Sequence, residues 1–159
     1  MKKALIIGSN SFAGSDFVDF LLNKNFKVFG VSRRNEIGSQ HLRYKKNKNL
    51  KNFKFNKINL NLKKDINELI KNIKNNKIVY VINFAAQGMV AESWINPQDW
   101  YLTNVVSNSI LIKELSKLKI KKYLNFSTPE VYGNTSSLMK ESNIFAPTTP
   151  YAISRSTQD

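Results

Sequence analysis

Two short stretches late in the chain hold side chains able to move protons. Ser127-Thr128-Pro129-Glu130-Val131-Tyr132-Gly133 offers a hydroxyl on Thr128 and a carboxylate on Glu130. Tyr151-Ala152-Ile153-Ser154-Arg155 offers a phenol and, four residues on, a guanidinium. Carboxylates and phenols act as general acids and bases, and a nearby cation helps a phenol to do so. A third stretch, Gly8-Ser9-Asn10-Ser11-Phe12-Ala13-Gly14, suits a different task. Glycine is needed where the backbone turns sharply and comes close to a pyrophosphate, and a helix N-terminus attracts that charge. The spacing is G-x-x-S-x-x-G, with Ser11 where a third glycine usually stands; its hydroxyl can donate to phosphate. Taken alone, this is a plain strand-to-helix turn. Between a buried-type strand and an amphipathic helix, Gly8, Ser11, Phe12 and Gly14 form a candidate dinucleotide loop.

The second apolar run ends in Val31-Ser32-Arg33-Arg34. An acidic residue at that point holds the ribose 2′-hydroxyl of NAD, whereas arginine accommodates a 2′-phosphate. The first acid here is Glu36, and Ser32, Arg33 and Arg34 stand ahead of it. The plainer reading is a basic loop in a basic protein. The guanidinium fork matches phosphate oxygens, so NADP is favoured over NAD.

These residues need a scaffold, and the hydropathy pattern supplies one. Strands are expected at Lys3–Ile7, Lys27–Val31, Phe53–Ile58, Ile78–Phe84 and Lys121–Phe126. Helical spacing runs from Phe12 to Leu22 through Phe12, Phe17, Val18, Phe20, Leu21 and Leu22. A second helix is expected over Lys64–Ile73, with Ile66, Leu69, Ile70 and Ile73 on one face. A long helix should open at Pro97 and run to about Leu118, and Pro150 should open the last one. Arg34–Asn52 is polar and loop-rich. The alternation implies an α/β fold, a Rossmann-type doubly wound parallel sheet. In such sheets ligands bind beyond the carboxyl ends of the strands, so the Gly8, Ser32, Asn83 and Ser127 regions are expected to converge on one crevice.

Composition narrows the function classes. The 159 residues include no cysteine and one histidine, His41, with no second ligand at a useful spacing, so no metal site is expected. The apolar run after Met1 breaks at Gly8-Ser9-Asn10, too soon for a signal peptide, and no later run would span a membrane. A cytoplasmic location is expected. The net charge of +14 invites nucleic acid, but the lysines are spread through the chain and interleaved with asparagine, densest between Lys45 and Lys77. That distribution reads as solvated faces, and no nucleic-acid motif appears.

With these motifs in order, the chain resembles the extended short-chain dehydrogenase/reductases, specifically the nucleotide-sugar epimerases and dehydratases. It looks closest to 4,6-dehydratases of the GDP-mannose type. The resemblance is carried by Gly8 to Gly14, by Asn83-Phe84-Ala85-Ala86-Gln87, by Glu92-Ser93-Trp94-Ile95-Asn96-Pro97 leading to Asn104, by Ser127 to Gly133, and by Pro150-Tyr151. It spans the whole chain but only about the first half of a typical member, so residues 1–159 read as an incomplete NAD(P)-binding domain without the substrate region. Strand five would then lie at an exposed edge and the isolated domain would be marginally stable.

The resemblance also assigns roles. Tyr151 would take the proton of the sugar's 4-hydroxyl, and Arg155, standing where the family has lysine, would support it and hold the nicotinamide ribose. Thr128 would bond the sugar's 4-oxygen. Glu130 would remove the C5 proton as the C6 hydroxyl leaves, a carboxylate that simple epimerases usually lack; as a plain turn, Thr128 and Glu130 would only cap a strand end. Asn83, Ala85, Ala86 and Gln87 would line the nicotinamide side, and Asn59 and Leu60 the adenine. Asn104 reads equally as a residue that distorts its helix or orients water and as part of the asparagine bias, and by their chemistry Trp94 and Trp100 read as core or interface anchors ahead of substrate platforms. The implied product is a 4-keto-6-deoxy sugar nucleotide, and the implied partners are a nucleotide sugar and, in the full-length form, a second copy. The alternatives are an epimerase or reductase of the same family, a non-catalytic cofactor-binding remnant, and a basic nucleic-acid binder.

Overall fold

The alternating apolar residues of the first strand set the architecture. β1 (Lys3–Ile7) sends Leu5 and Ile7 into one buried cluster and Ala4 and Ile6 into another. A strand buried on both faces needs helices on both, because period-two side chains alternate across the sheet. In the computed structural model, which describes residues 1–159, five strands lie in the order β3-β2-β1-β4-β5. The others are β2 (Lys27–Ser32), β3 (Phe53–Lys57), β4 (Tyr80–Asn83) and β5 (Lys122–Asn125). The β1–β2, β1–β4 and β2–β3 ladders are parallel. This order is that of the dinucleotide-binding fold, with its switch point between β1 and β4.

The chain forms two compact units, Met1–Ala85 with Leu111–Leu124, and Ala86–Ile110 with Asn125–Asp159. In the first, α1 (Phe12–Asn23) lays Val18, Leu21 and Leu22 on Ala4, Ile6 and Val28. On the other face, Ile66, Leu69, Ile70 and Ile73 of α2 (Lys63–Asn76) pack on Leu5, Ile7 and Val31. Leu111 and Leu115 join that second cluster. α1 and α2 both end in a left-handed residue, Asn25 (φ 58°) and Lys77 (φ 52°). In each case the next amide reaches back to the last turn, Phe26 to the Leu21 carbonyl and Ile78 to that of Ile73, at 3.0 Å. These stops deliver the chain to β2 and β4.

The second unit holds α3 (Val90–Ile95), α4 (Pro97–Trp100), a π-helical stretch (Tyr101–Ser107), the start of α5 (Asn108–Leu115), a 3₁₀ turn (Pro129–Tyr132) and α6 (Pro150–Ser156). Its buried apolar residues include Trp100, Val131 and Ala152. No helix is long and apolar enough to cross a membrane.

Several expectations need correction. The helix expected from Pro97 is interrupted by the π stretch around Asn104, and α3 was not expected at all. β4 is shorter than its apolar run, although the Phe84 amide still bonds the Ile7 carbonyl at 2.8 Å. Phe12 and Phe20 of the expected apolar face are exposed, because the α1 face toward the sheet runs through Gly14, Ser15, Val18, Leu21 and Leu22. Trp100 is a core residue at 4 % exposure, whereas Trp94 is 63 % exposed.

Candidate functional site

In the first unit the loop after β1 is built for close approach. Gly8 has φ 82°, and a Cβ there would stand 2.8 Å from the Ala85 amide nitrogen. Glycine is thus required twice over, by backbone angle and by space. Gly14 sits one turn into α1, where a Cβ would fall inside contact distance of the Gly8 carbonyl oxygen. Ser11 has an ordinary extended backbone (φ −72°) and caps α1, its Oγ accepting from the Gly14 amide at 3.0 Å. Its hydroxyl proton remains to donate. The Phe12 and Ala13 amides lie in the first turn, where no intrahelical acceptor exists, and they suit an anion. This glycine cradle opening on a capped helix fits a dinucleotide pyrophosphate.

The end of β2 is tied to the same loop. Ser32 Oγ accepts from the Asn10 amide at 3.0 Å, and Asn10 Nδ2 donates to the Arg34 and Asn35 carbonyls, both at 3.1 Å. Arg33 and Arg34 are exposed. After β3, Asn59 Oδ1 accepts from the Asn61 amide at 3.1 Å, and the Asn59 amide bonds Asp65 Oδ2 at 2.8 Å. Leu60 packs against the core. After β4, buried Asn83 accepts from the Ala85 amide at 3.0 Å and donates to the Tyr123 hydroxyl at 3.1 Å. Asn83 therefore shapes the strand exit with its side chain.

The second unit is organised by Asn104, which is fully buried. Its Oδ1 accepts from the Gln87 amide at 2.8 Å, and its Nδ2 donates to the Gln87 carbonyl at 3.0 Å and to Ser154 Oγ at 2.9 Å. The wide turn of a π helix disturbs the usual carbonyl pairing, and here the Asn104 carbonyl accepts from Gln158 Nε2 at 2.6 Å. One residue thereby holds the Ala86–Gln87 segment and α6. α6 is capped by Thr149, whose Oγ1 accepts from the Ala152 amide at 3.1 Å, and the Tyr151 amide donates to buried Ser93 Oγ at 3.2 Å. These contacts fix the base of Tyr151, itself half-buried.

Arg155 is buried and donates through its guanidinium to the Phe126 carbonyl. That bond ties α6 to the chain two residues before Thr128. Thr128 caps the 3₁₀ turn, Oγ1 accepting from the Glu130 amide at 3.4 Å, while Glu130 itself is exposed. The capping role expected of a plain turn is present, and the Glu130 carboxylate remains open to solvent. Ser127 Oγ donates to Asp159.

Sequence reasoning missed Asn10, Tyr44, Ser93, Thr149 and Ser154. Tyr44 had a signal: it is the lone aromatic in the polar stretch Arg34–Asn52, and such residues often anchor a loop. The serines had none, since their partners lie far away in sequence.

Comparison with known proteins places this geometry. A family profile described as GDP-mannose 4,6 dehydratase matches residues 5–159. A GDP-mannose 4,6-dehydratase of Vibrio cholerae is 29 % identical over 97 % of this chain and 43 % of its own length. The UDP-Glc/GlcNAc 4-epimerase of Campylobacter jejuni superposes with a TM-score of 0.85 at 23 % identity, over 99 % of this chain and 47 % of that one. The UDP-glucuronic acid 4-epimerase of Bacillus cereus, solved with UDP-glucuronic acid and NAD, gives 0.81 at 25 % identity, over 98 % and 49 %. The chain thus spans less than half the length of each. The profile match over nearly the whole chain and the switch-point glycine loop agree: this chain belongs to the GDP-mannose 4,6-dehydratase family of extended short-chain dehydrogenase/reductases.

Proposed function

We propose that this chain is the NADP-binding part of a nucleotide-sugar 4,6-dehydratase that makes a 4-keto-6-deoxy sugar nucleotide. The observation that carries the dehydratase reading is the exposed Glu130 carboxylate, two residues beyond the capping hydroxyl of Thr128. A 4-epimerase, which needs hydride transfer at C4 alone, has no need of a base at C5. The family profile and the dehydratase relative support the same reading.

Gly8, Ser11, Phe12 and Gly14 would hold the pyrophosphate, Ser32, Arg33 and Arg34 the adenosine ribose and its 2′-phosphate, and Asn59 and Leu60 the adenine. Asn83, Ala85, Ala86, Gln87 and Asn104 would shape the nicotinamide end. When bound, the nicotinamide supplies a reversible acceptor for hydride. Tyr151 accepts the proton of the sugar 4-hydroxyl, and Thr128 donates a hydrogen bond to that oxygen. Arg155 supplies fixed positive charge on the helix of Tyr151. Glu130 takes the proton from C5 as the C6 hydroxyl, protonated by Glu130 or by water, leaves as water; return of the hydride to C6 and of a proton to C5 then gives the 4-keto-6-deoxy sugar. A cytoplasmic setting, and dimerisation of the full-length form, belong to the same proposal.

The test is thermal melting of this chain with NADP⁺ and with NAD⁺, then incubation with GDP-mannose and NADP⁺ in D₂O. Stabilisation by NADP⁺ with deuterium entering C5 supports the reading. Exchange that persists in Glu130→Gln overturns the dehydratase assignment. Cofactor stabilisation with no exchange marks this part of the chain as cofactor-binding without turnover of its own.

A further inference from the structure

The acid nearest the end of β2 is already engaged. Tyr44 donates its hydroxyl to Glu36 Oε1 at 2.8 Å, and Lys45 Nζ stands 3.9 Å from the same oxygen. Tyr44 is fully buried, its ring 4.5 Å from that of Phe53, so the direction of the phenol is set by the core. The hydroxyl also lies 3.4 Å from Asn10 Oδ1. Asn10 in turn holds the Arg34 and Asn35 carbonyls, and Lys45 Nζ donates to the Ile37 carbonyl at 2.9 Å. The whole segment from Arg34 to Ile37 is therefore pinned from within, and Arg33 and Arg34 are left exposed. A carboxylate turned outward here would bond a ribose 2′-hydroxyl and repel a 2′-phosphate.

We propose that Tyr44 is a positioning residue that enforces preference for a 2′-phosphorylated dinucleotide by holding the Glu36 carboxylate away from the ligand. This rests on the reading that the first unit takes NADP. Burial, and then the bond to Glu36, hold the Tyr44 phenol above its ordinary range, so it stays a donor at every working pH. The device differs from the arginine contacts themselves. It works by removing a competing acid.

The experiment is calorimetric titration of the chain with NADP⁺ and with NAD⁺. Tyr44→Phe keeps the ring on Phe53 and removes only the donor. The expected result is about a tenfold fall in the NADP⁺ to NAD⁺ affinity ratio, the scale of one hydrogen bond to a charged group. Tyr44→Phe/Glu36→Gln should restore the ratio, because the effect travels through the carboxylate charge. A merely loosened loop would weaken both ligands alike and would not be rescued. If the unsubstituted chain prefers NADP⁺ and Tyr44→Phe keeps that ratio, the inference fails and the NADP reading stands. If the unsubstituted chain shows no preference, the reading fails and takes the inference with it. Should Tyr44→Phe not melt cooperatively, Glu36→Gln in the otherwise unsubstituted chain serves instead. Because Tyr44 already withholds the carboxylate, the ratio should stay within about twofold, and a rise of about tenfold would show a carboxylate that already faces the ligand and overturn the proposal.

Discussion

Asn104 bonds both backbone polar groups of Gln87, accepting from its amide at 2.8 Å and donating to its carbonyl at 3.0 Å. The same amide group reaches Ser154 on α6, so one buried side chain sets both the segment after β4 and the helix of Tyr151. Asn104→Ala should cost about 2–4 kcal/mol, the scale of a buried polar network left half satisfied. Urea unfolding measures it. A loss under about 0.5 kcal/mol, the range of an ordinary surface substitution, would mean that these bonds organise nothing.

Gly14→Ala tests the cradle. The new methyl would press on the Gly8 carbonyl oxygen and stand 2.8 Å from Ser11 Oγ, disturbing the cap and the turn together. Overpacking of this kind costs about 1–3 kcal/mol. The thermal shift produced by saturating NADP⁺ should also disappear. A full shift in the variant would show that the loop does not approach a ligand.

Ser93→Ala removes the acceptor for the Tyr151 amide while leaving the Thr149 cap in place. The expected cost is about 1 kcal/mol, with exchange of the Tyr151 amide hydrogen faster and the α1 amides unchanged. Equal acceleration of exchange in both helices would argue against a local role.

Tyr44 gives the chain a signature in alkali. Its pKa in the folded state is raised, first by burial and then by the hydrogen bond to Glu36. The unfolded chain, with a phenol titrating near pH 10, loses that proton first. Stability from this group is therefore complete below about pH 10 and falls as pH rises beyond it. Chemical denaturation at pH 8 and pH 11 should show a loss that is smaller in Tyr44→Phe. Identical losses in both proteins would remove Tyr44 as its source.

Long periodic segments were legible in the sequence. α2 shows Ile66, Leu69, Ile70 and Ile73 buried on one face, as the spacing required. β1 and α1 lie where the apolar run and the helical pattern put them. α3 was not legible, because six residues carry too little periodicity and its entry through Met89 (φ 72°) has no capping side chain. The π stretch was foreshadowed only as a distortion near Asn104, since its geometry depends on partners outside the helix.

By itself the sequence determined the alternation of strands and helices and the glycine loop between β1 and α1, and it named the candidate proton-moving side chains. Those features follow from local pattern: burial on both faces, helical period, and the backbone freedom of glycine. Only the tertiary structure decided which polar groups are left to face a ligand. Asn104 meets partners 17 and 50 residues away, and Arg155 meets the Phe126 carbonyl 29 residues back. Glu36, the first acid after β2, was claimed by a phenol whose direction the core had set. A hydrogen bond depends on distance and angle in space, and chain order specifies neither until the fold has closed.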